Sequence, residues 1–128
     1  MLPFLVATTL GTIDLGRMVV AKEMCAYAAI VGARTALGRY ESDNSTALTS
    51  ADVQTAAIRA VPMLKLTTSS VAVAATDTSN NAETFTARGR GHTVTVTVTY
   101  TYTPLIPGIS KIVAGGKHWT IKSAMVIP

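Results

Sequence analysis

Residues 2–37 read LPFLVATTLGTIDLGRMVVAKEMCAYAAIVGARTAL, with no charge before Asp14 and no proline after Pro3. Proline suits the first turn of a helix, where its missing N–H costs nothing. The next stop signals are Gly38 and the polar segment Glu41-Ser42-Asp43-Asn44-Ser45-Thr46, and the next proline is Pro62. The spacing predicts one long helix from about Leu2 to about Leu37, roughly 55 Å long at 1.5 Å per residue. Its first half is apolar nearly all round, so it offers no polar face to water. A chain of 128 residues forms one ordinary domain and cannot bury such a rod. A bilayer or other copies of the chain must cover it.

A plain transmembrane span needs about 20 apolar residues with few charges, and Asp14 and Arg17 interrupt this run. They stand three residues apart on one helix face and are expected to pair, within the helix or between neighbouring subunits. Lys22 and Glu23 are read as solvated or at a subunit boundary. A secretory signal peptide needs a basic segment ahead of its apolar stretch, and no Lys or Arg precedes Arg17. Gly11, Gly16, Ala21, Ala26, Ala28, Ala29, Gly32, Ala33 and Ala36 would let neighbouring helices approach closely. Each glycine inside the helix costs about 1 kcal/mol relative to alanine. Gly11 and Gly16 therefore mark close helix contact or a locally opened turn.

Beyond this rod the sequence describes a small head. Thr49-Ser50-Ala51-Asp52 is a capping-box pattern, and Val53, Ala56, Ala57, Ala60 and Val61 repeat at helical spacing up to Pro62. Strands are expected at Ser70–Ala75 and Thr84–Ala87, with Arg88-Gly89-Arg90-Gly91 as a turn. From His92 to Thr103, Val94, Val96, Val98, Tyr100 and Tyr102 alternate strictly with threonines, the pattern of a half-buried antiparallel strand. Pro104 to Gly108 reads as a turn, Ile109 to Val113 as one helical turn, and Lys117 to Ile127 as the last strand, with Trp119, Ile121, Met125 and Ile127 on one face. The expected fold class is α+β: a long N-terminal helix (residues 1–38) for assembly or membrane insertion, and a head (residues 39–128) of a short helix and about four antiparallel strands.

Composition narrows the function. Apolar residues make up 48%, charged residues only 14% and aromatics 5%, so the core must rest on Ala, Val, Ile and Leu and long disorder is excluded. Cys25 is alone, which excludes an intrachain disulfide, and it reads as a small buried hydrophobe. The net charge is +4, all seven acids lie before residue 84, and no run of Lys and Arg exists, so nucleic-acid binding is not expected. The basic C-terminal third is read as a solvated face, with an acidic partner or an acidic face of a neighbouring copy as the alternative. His92, His118 and Cys25 lack metal-ligand spacing, and no catalytic cluster or phosphate-binding loop is present. No catalytic residue, cofactor or metal is expected. Asn44-Ser45-Thr46 fits the glycosylation sequon, making Asn44 a candidate acceptor.

Leu2-Pro3 with its apolar run, Gly11-Thr12-Ile13-Asp14-Leu15-Gly16-Arg17, and Ala28-Ala29-Ile30-Val31-Gly32-Ala33-Arg34 together resemble the TadE/TadG-like pilins of tight-adherence, type IV-like pilus systems. The C-terminal half is similar too, in its Val-Thr strand, Tyr102 to Leu105, Gly115-Gly116 and Ser123-Ala124-Met125. The family carries a cleavage glycine and a glutamate upstream of its Leu-Pro; here Met1 precedes Leu2, position 5 is Leu5, and Asp14 matches the family's internal acid. The resemblance implies a type IV pilin-like fold and a non-enzymatic pilin subunit. Such a subunit polymerises through its N-terminal helix into an extracellular fimbrial filament for adhesion or surface attachment. Its assembly residues would be Leu2, Pro3, Phe4, Leu5, Leu10, Ile13, Asp14, Leu15, Gly16, Arg17, Ala28, Ala29, Gly32 and Ala33. The implied partners are further copies in a helical homopolymer, the inner membrane before assembly, and the pilus secretion machinery. The alternatives are a minor pilin or assembly factor held in the inner membrane, and a membrane-anchored domain that binds a ligand through its sheet.

Overall fold

A computed structural model describes residues 1–38, 48–85, 89–103 and 118–128. Helix α1 runs unbroken over Leu2–Gly38, through both Gly11 and Gly16. Helix α2 (Ser50–Ala60) starts at the expected capping box. The Asp52 carboxylate accepts from the Thr49 N–H at 2.9 Å, and Thr49 Oγ1 accepts from the Asp52 N–H at 3.4 Å. Two short 3₁₀ turns, Pro62–Leu64 and Thr68–Ser70, lead into the sheet.

The sheet comprises β1 (Val71–Thr76), β2 (Ala82–Glu83), β3 (Thr93–Thr101) and β4 (His118–Val126), in the order β2-β1-β3-β4 with every neighbour antiparallel. This is the expected α+β layout of long helix, short helix and small antiparallel sheet. The alternation in β3 holds residue by residue: Val94, Val96 and Val98 are fully buried while Thr99 and Thr101 are exposed. In β4 the odd-numbered side chains from Trp119 to Met125 lie half-buried and the even-numbered ones exposed, and Ile127 beyond the strand is fully buried.

One expected strand moves. The segment pairing with β1 is Ala82–Glu83, through Ala75 opposite Glu83 and Thr76 opposite Ala82, and Thr84 and Phe85, the described part of the expected Thr84–Ala87 strand, lie outside it. The cause is the turn at Asp77. Its Oδ1 accepts from the N–H groups of Ser79 and Asn81, both at 2.8 Å, and its own N–H donates to the Asn81 carbonyl. Asn80 supplies the left-handed residue, at φ 64°, so pairing resumes at once and is over by Thr84. Gly91 takes φ 78° in the turn before β3, and its N–H donates to Ile127 at 2.8 Å. Thr86 to Arg88, the turn at Pro104–Gly108, the helical turn at Ile109–Val113, Gly115-Gly116, Lys117 and Asn44 lie outside the described residues.

The core sits between the C-terminal part of α1, α2 and the inner face of the sheet. It is made of small and branched aliphatics: Cys25, Ala28, Ala29, Ala33 and Ala36 of α1 against Val53 and Ala57 of α2 and the three valines of β3. Gly32 sets the distance of approach. A Cβ there would lie 3.1 Å from Val96 Cγ1 and 3.3 Å from the Ala57 Cβ, so a larger residue would push the helix off the sheet.

Candidate functional site

The head covers only the C-terminal part of α1. Residues 1–10 are all exposed, and Leu2, Phe4, Leu5 and Ile13 leave 75%, 70%, 60% and 49% of their surface in contact with solvent. Leu10 and Leu15 are exposed as well, as are Pro3, Gly16 and Arg17. Exposed apolar side chains continue along the outer face through Val19, Val20, Tyr27 and Ile30. A contiguous apolar surface of this kind marks an interface with protein or membrane. By length and composition α1 could cross a membrane.

The threonines of the protruding part add to its apolar character. Thr8 Oγ1 lies 3.0 Å from the Phe4 carbonyl and 2.9 Å from the Leu5 carbonyl; Thr9 donates to Leu5, and Thr12 to Thr8, each at 2.8 Å. Hydroxyls bonded to the helix's own carbonyls need no water, so this surface can enter a dry environment without stranding them.

The small residues divide into two groups. Ala28, Ala29, Gly32 and Ala33, expected to face neighbouring helices, are buried within the chain against the sheet and α2. They serve helix–sheet contact inside one subunit, because the valine-rich face of β3 can only approach a helix with little side chain there. At Gly11 and Gly16, by contrast, a Cβ would meet nothing within 4 Å.

Asp14 marks the level at which the rod leaves the head. It is 2% exposed, the one buried charged residue among those described. The expected pairing put it with Arg17. The structure adds Tyr102, 88 residues away, whose hydroxyl donates to the Asp14 carboxylate and lies 3.0 Å from the Asp14 carbonyl oxygen. Burial, and then the hydrogen bond to Asp14, push the Tyr102 hydroxyl up to about 12. Tyr102 stacks on Trp119 with ring centres 5.7 Å apart, and Trp119 also meets Tyr100 across β3 and β4 at 6.0 Å. An open cleft of about 370 Å³ lies beside this cluster, lined by Gly16, Arg17, Val20, Met24, Met63 and Tyr100 among others. The signal for Tyr102 was present in the sequence: it extends the inward face of the alternating strand, and a buried tyrosine hydroxyl needs a polar partner.

The remaining chemistry-bearing groups are engaged elsewhere. His92 bonds Glu83 through Nδ1 at the far end of the sheet, His118 Nδ1 lies 2.8 Å from Thr101 Oγ1, and Cys25 is fully buried. Among the described residues no three His, Cys, Asp or Glu side chains converge as a metal site would require. Comparison with known proteins finds no matching family model, no similar curated protein and no similar solved structure.

Proposed function

We propose that the chain is a non-enzymatic structural subunit that polymerises through its N-terminal helix into a type IV-like, tight-adherence-type pilus filament on the cell surface. The observation that carries this reading is the apolar, solvent-facing N-terminal part of α1, rooted in a folded head by the rest of the same helix. Fully burying each large apolar side chain is worth ~1.5–3 kcal/mol. Covering half a dozen of them is thus commensurate with the ~4–15 kcal/mol that association costs in lost freedom. The internally bonded threonines support the same reading, and so does the resemblance of Leu2 to Arg17 to tight-adherence pilins. In this reading the helix rests in the inner membrane before assembly, residues 1–38 form the filament core, and residues 39–128 form the head facing solvent. A minor pilin or assembly factor retained in that membrane is the second reading, favoured by the membrane-compatible length and composition of α1.

Electron cryo-microscopy of the protein after detergent removal tests the proposal. A helical filament with α1 in its interior and the sheets outside is the expected result. Dispersed particles that remain bound to lipid, with no polymer at any concentration, would transfer the weight to the membrane-held reading.

A further inference from the structure

Leu5, Gly16, Val20, Glu23, Tyr27 and Arg34 are all exposed and follow one another at spacings of eleven, four, three, four and seven residues. They form a single stripe along α1, on the side away from Ala21, Cys25, Ala28 and Ala36, which face the head. The stripe is mostly apolar, but Glu23 and Arg34 carry opposite charges on it, three helical turns apart. The positions three and four residues from Glu23 are Val19, Val20, Ala26 and Tyr27, and those around Arg34 are Ile30, Val31, Leu37 and Gly38, so neither side chain has an ionic partner on its own helix. A charge inside a covered apolar stripe is costly unless an opposite charge meets it.

We infer that α1 meets a second copy of the chain along this stripe, with Glu23 of one copy against Arg34 of a parallel neighbour shifted about 16 Å along the helix axis, eleven residues at 1.5 Å each. This arrangement rests on the structural-subunit reading and gives it a register. The same shift of eleven brings Leu5 of the copy that supplies Glu23 level with Gly16 of the neighbour, where the surface is open because a Cβ would meet nothing within 4 Å. A knob thereby faces a hole at the level where the rod leaves the head. An antiparallel pair could also join the two charges, but centring it between residues 23 and 34 would overlap only residues 19–38 of each copy. Leu2 to Ile13 would stay uncovered. The parallel shift lays the apolar N-terminal part of the copy that supplies Glu23 over the middle of the neighbour's stripe.

The test compares the concentration needed for filaments in the wild type, Glu23→Arg, Arg34→Glu and the double exchange. Each single exchange sets like charges together and raises that concentration at least about 30-fold, as expected for an ion pair removed from a desolvated interface. The double exchange restores it to within about threefold. In filaments of the Arg34→Lys variant, zero-length carbodiimide coupling joins position 34 to Glu23. Roughly 16 Å separates the two positions within one helix, so such a link is between copies. Single exchanges that polymerise like a polymerising wild type, or absence of the 23–34 link, overturn this contact and leave the filament reading standing. Closed dimers carrying the link overturn the parallel arrangement. A wild type that never polymerises overturns the filament reading itself, and this contact with it.

Discussion

Tyr102 is a single residue on which the junction between rod and head depends. Replacing it by phenylalanine keeps the ring on Trp119 but leaves the buried Asp14 carboxyl without that donor, at a cost of about 1–3 kcal/mol. Denaturant unfolding in detergent reads the loss as a lower midpoint. The pH dependence has a definite sign. The Tyr102 hydroxyl holds its proton up to about 12, against 10 in an unfolded chain, so its contribution is complete below pH 10 and lost between pH 10 and 12. An alkaline titration of the wild type shows this step, and Tyr102→Phe lacks it. Gly32 and Gly16 show how one residue type carries two meanings. At position 32 glycine is required by Val96 and Ala57; at position 16 nothing among the described residues requires it.

The elements differ in how much of each was legible in the sequence. Helix α1 was readable nearly to the residue, because Pro3 permits its start and no breaker follows before Gly38. Strand β3 was readable because period-two alternation over a dozen residues has only one interpretation, and α2 because its cap is local chemistry. Thr49→Ala is expected to lower stability by about 1 kcal/mol, since it removes the hydroxyl side of a reciprocal cap. Urea unfolding checks it. The misplaced edge strand had a different origin. Thr84-Phe85-Thr86-Ala87 has good strand propensity, yet pairing position is dictated by turn geometry, and the Asp77 side chain closes its turn by Asn81. The Asp14–Tyr102 contact was half legible. A lone acid in an apolar helix announces the need for a partner, and local spacing nominates Arg17, but only the tertiary fold adds a residue 88 positions away. The same limit applies to Ala28, Ala29, Gly32 and Ala33, since small size predicts close approach without naming what approaches.

At the scale of the whole molecule, the surface that folds the head and the apolar surface proposed for assembly are separate. Phe4 and Leu10 are exposed and belong to no part of the core, so replacing both with serine is expected to leave the unfolding midpoint of the head within about 0.5 kcal/mol of wild type. The same variant is expected to stay dispersed after detergent removal under conditions in which the wild type sediments as polymer. Unfolding and sedimentation measured on one preparation check both halves of this expectation. The two surfaces nevertheless share a helix. From Cys25 to Ala36, α1 is a wall of the head's own core, interlocked with the valines of β3, and the same helix continues outward as the rod. A pull on the head against the rod therefore loads the α1–β3 seam in shear along its length. Such a seam resists by many packed side chains at once, so a filament built from this chain would transmit tension through the middle of each head and not across a hinge.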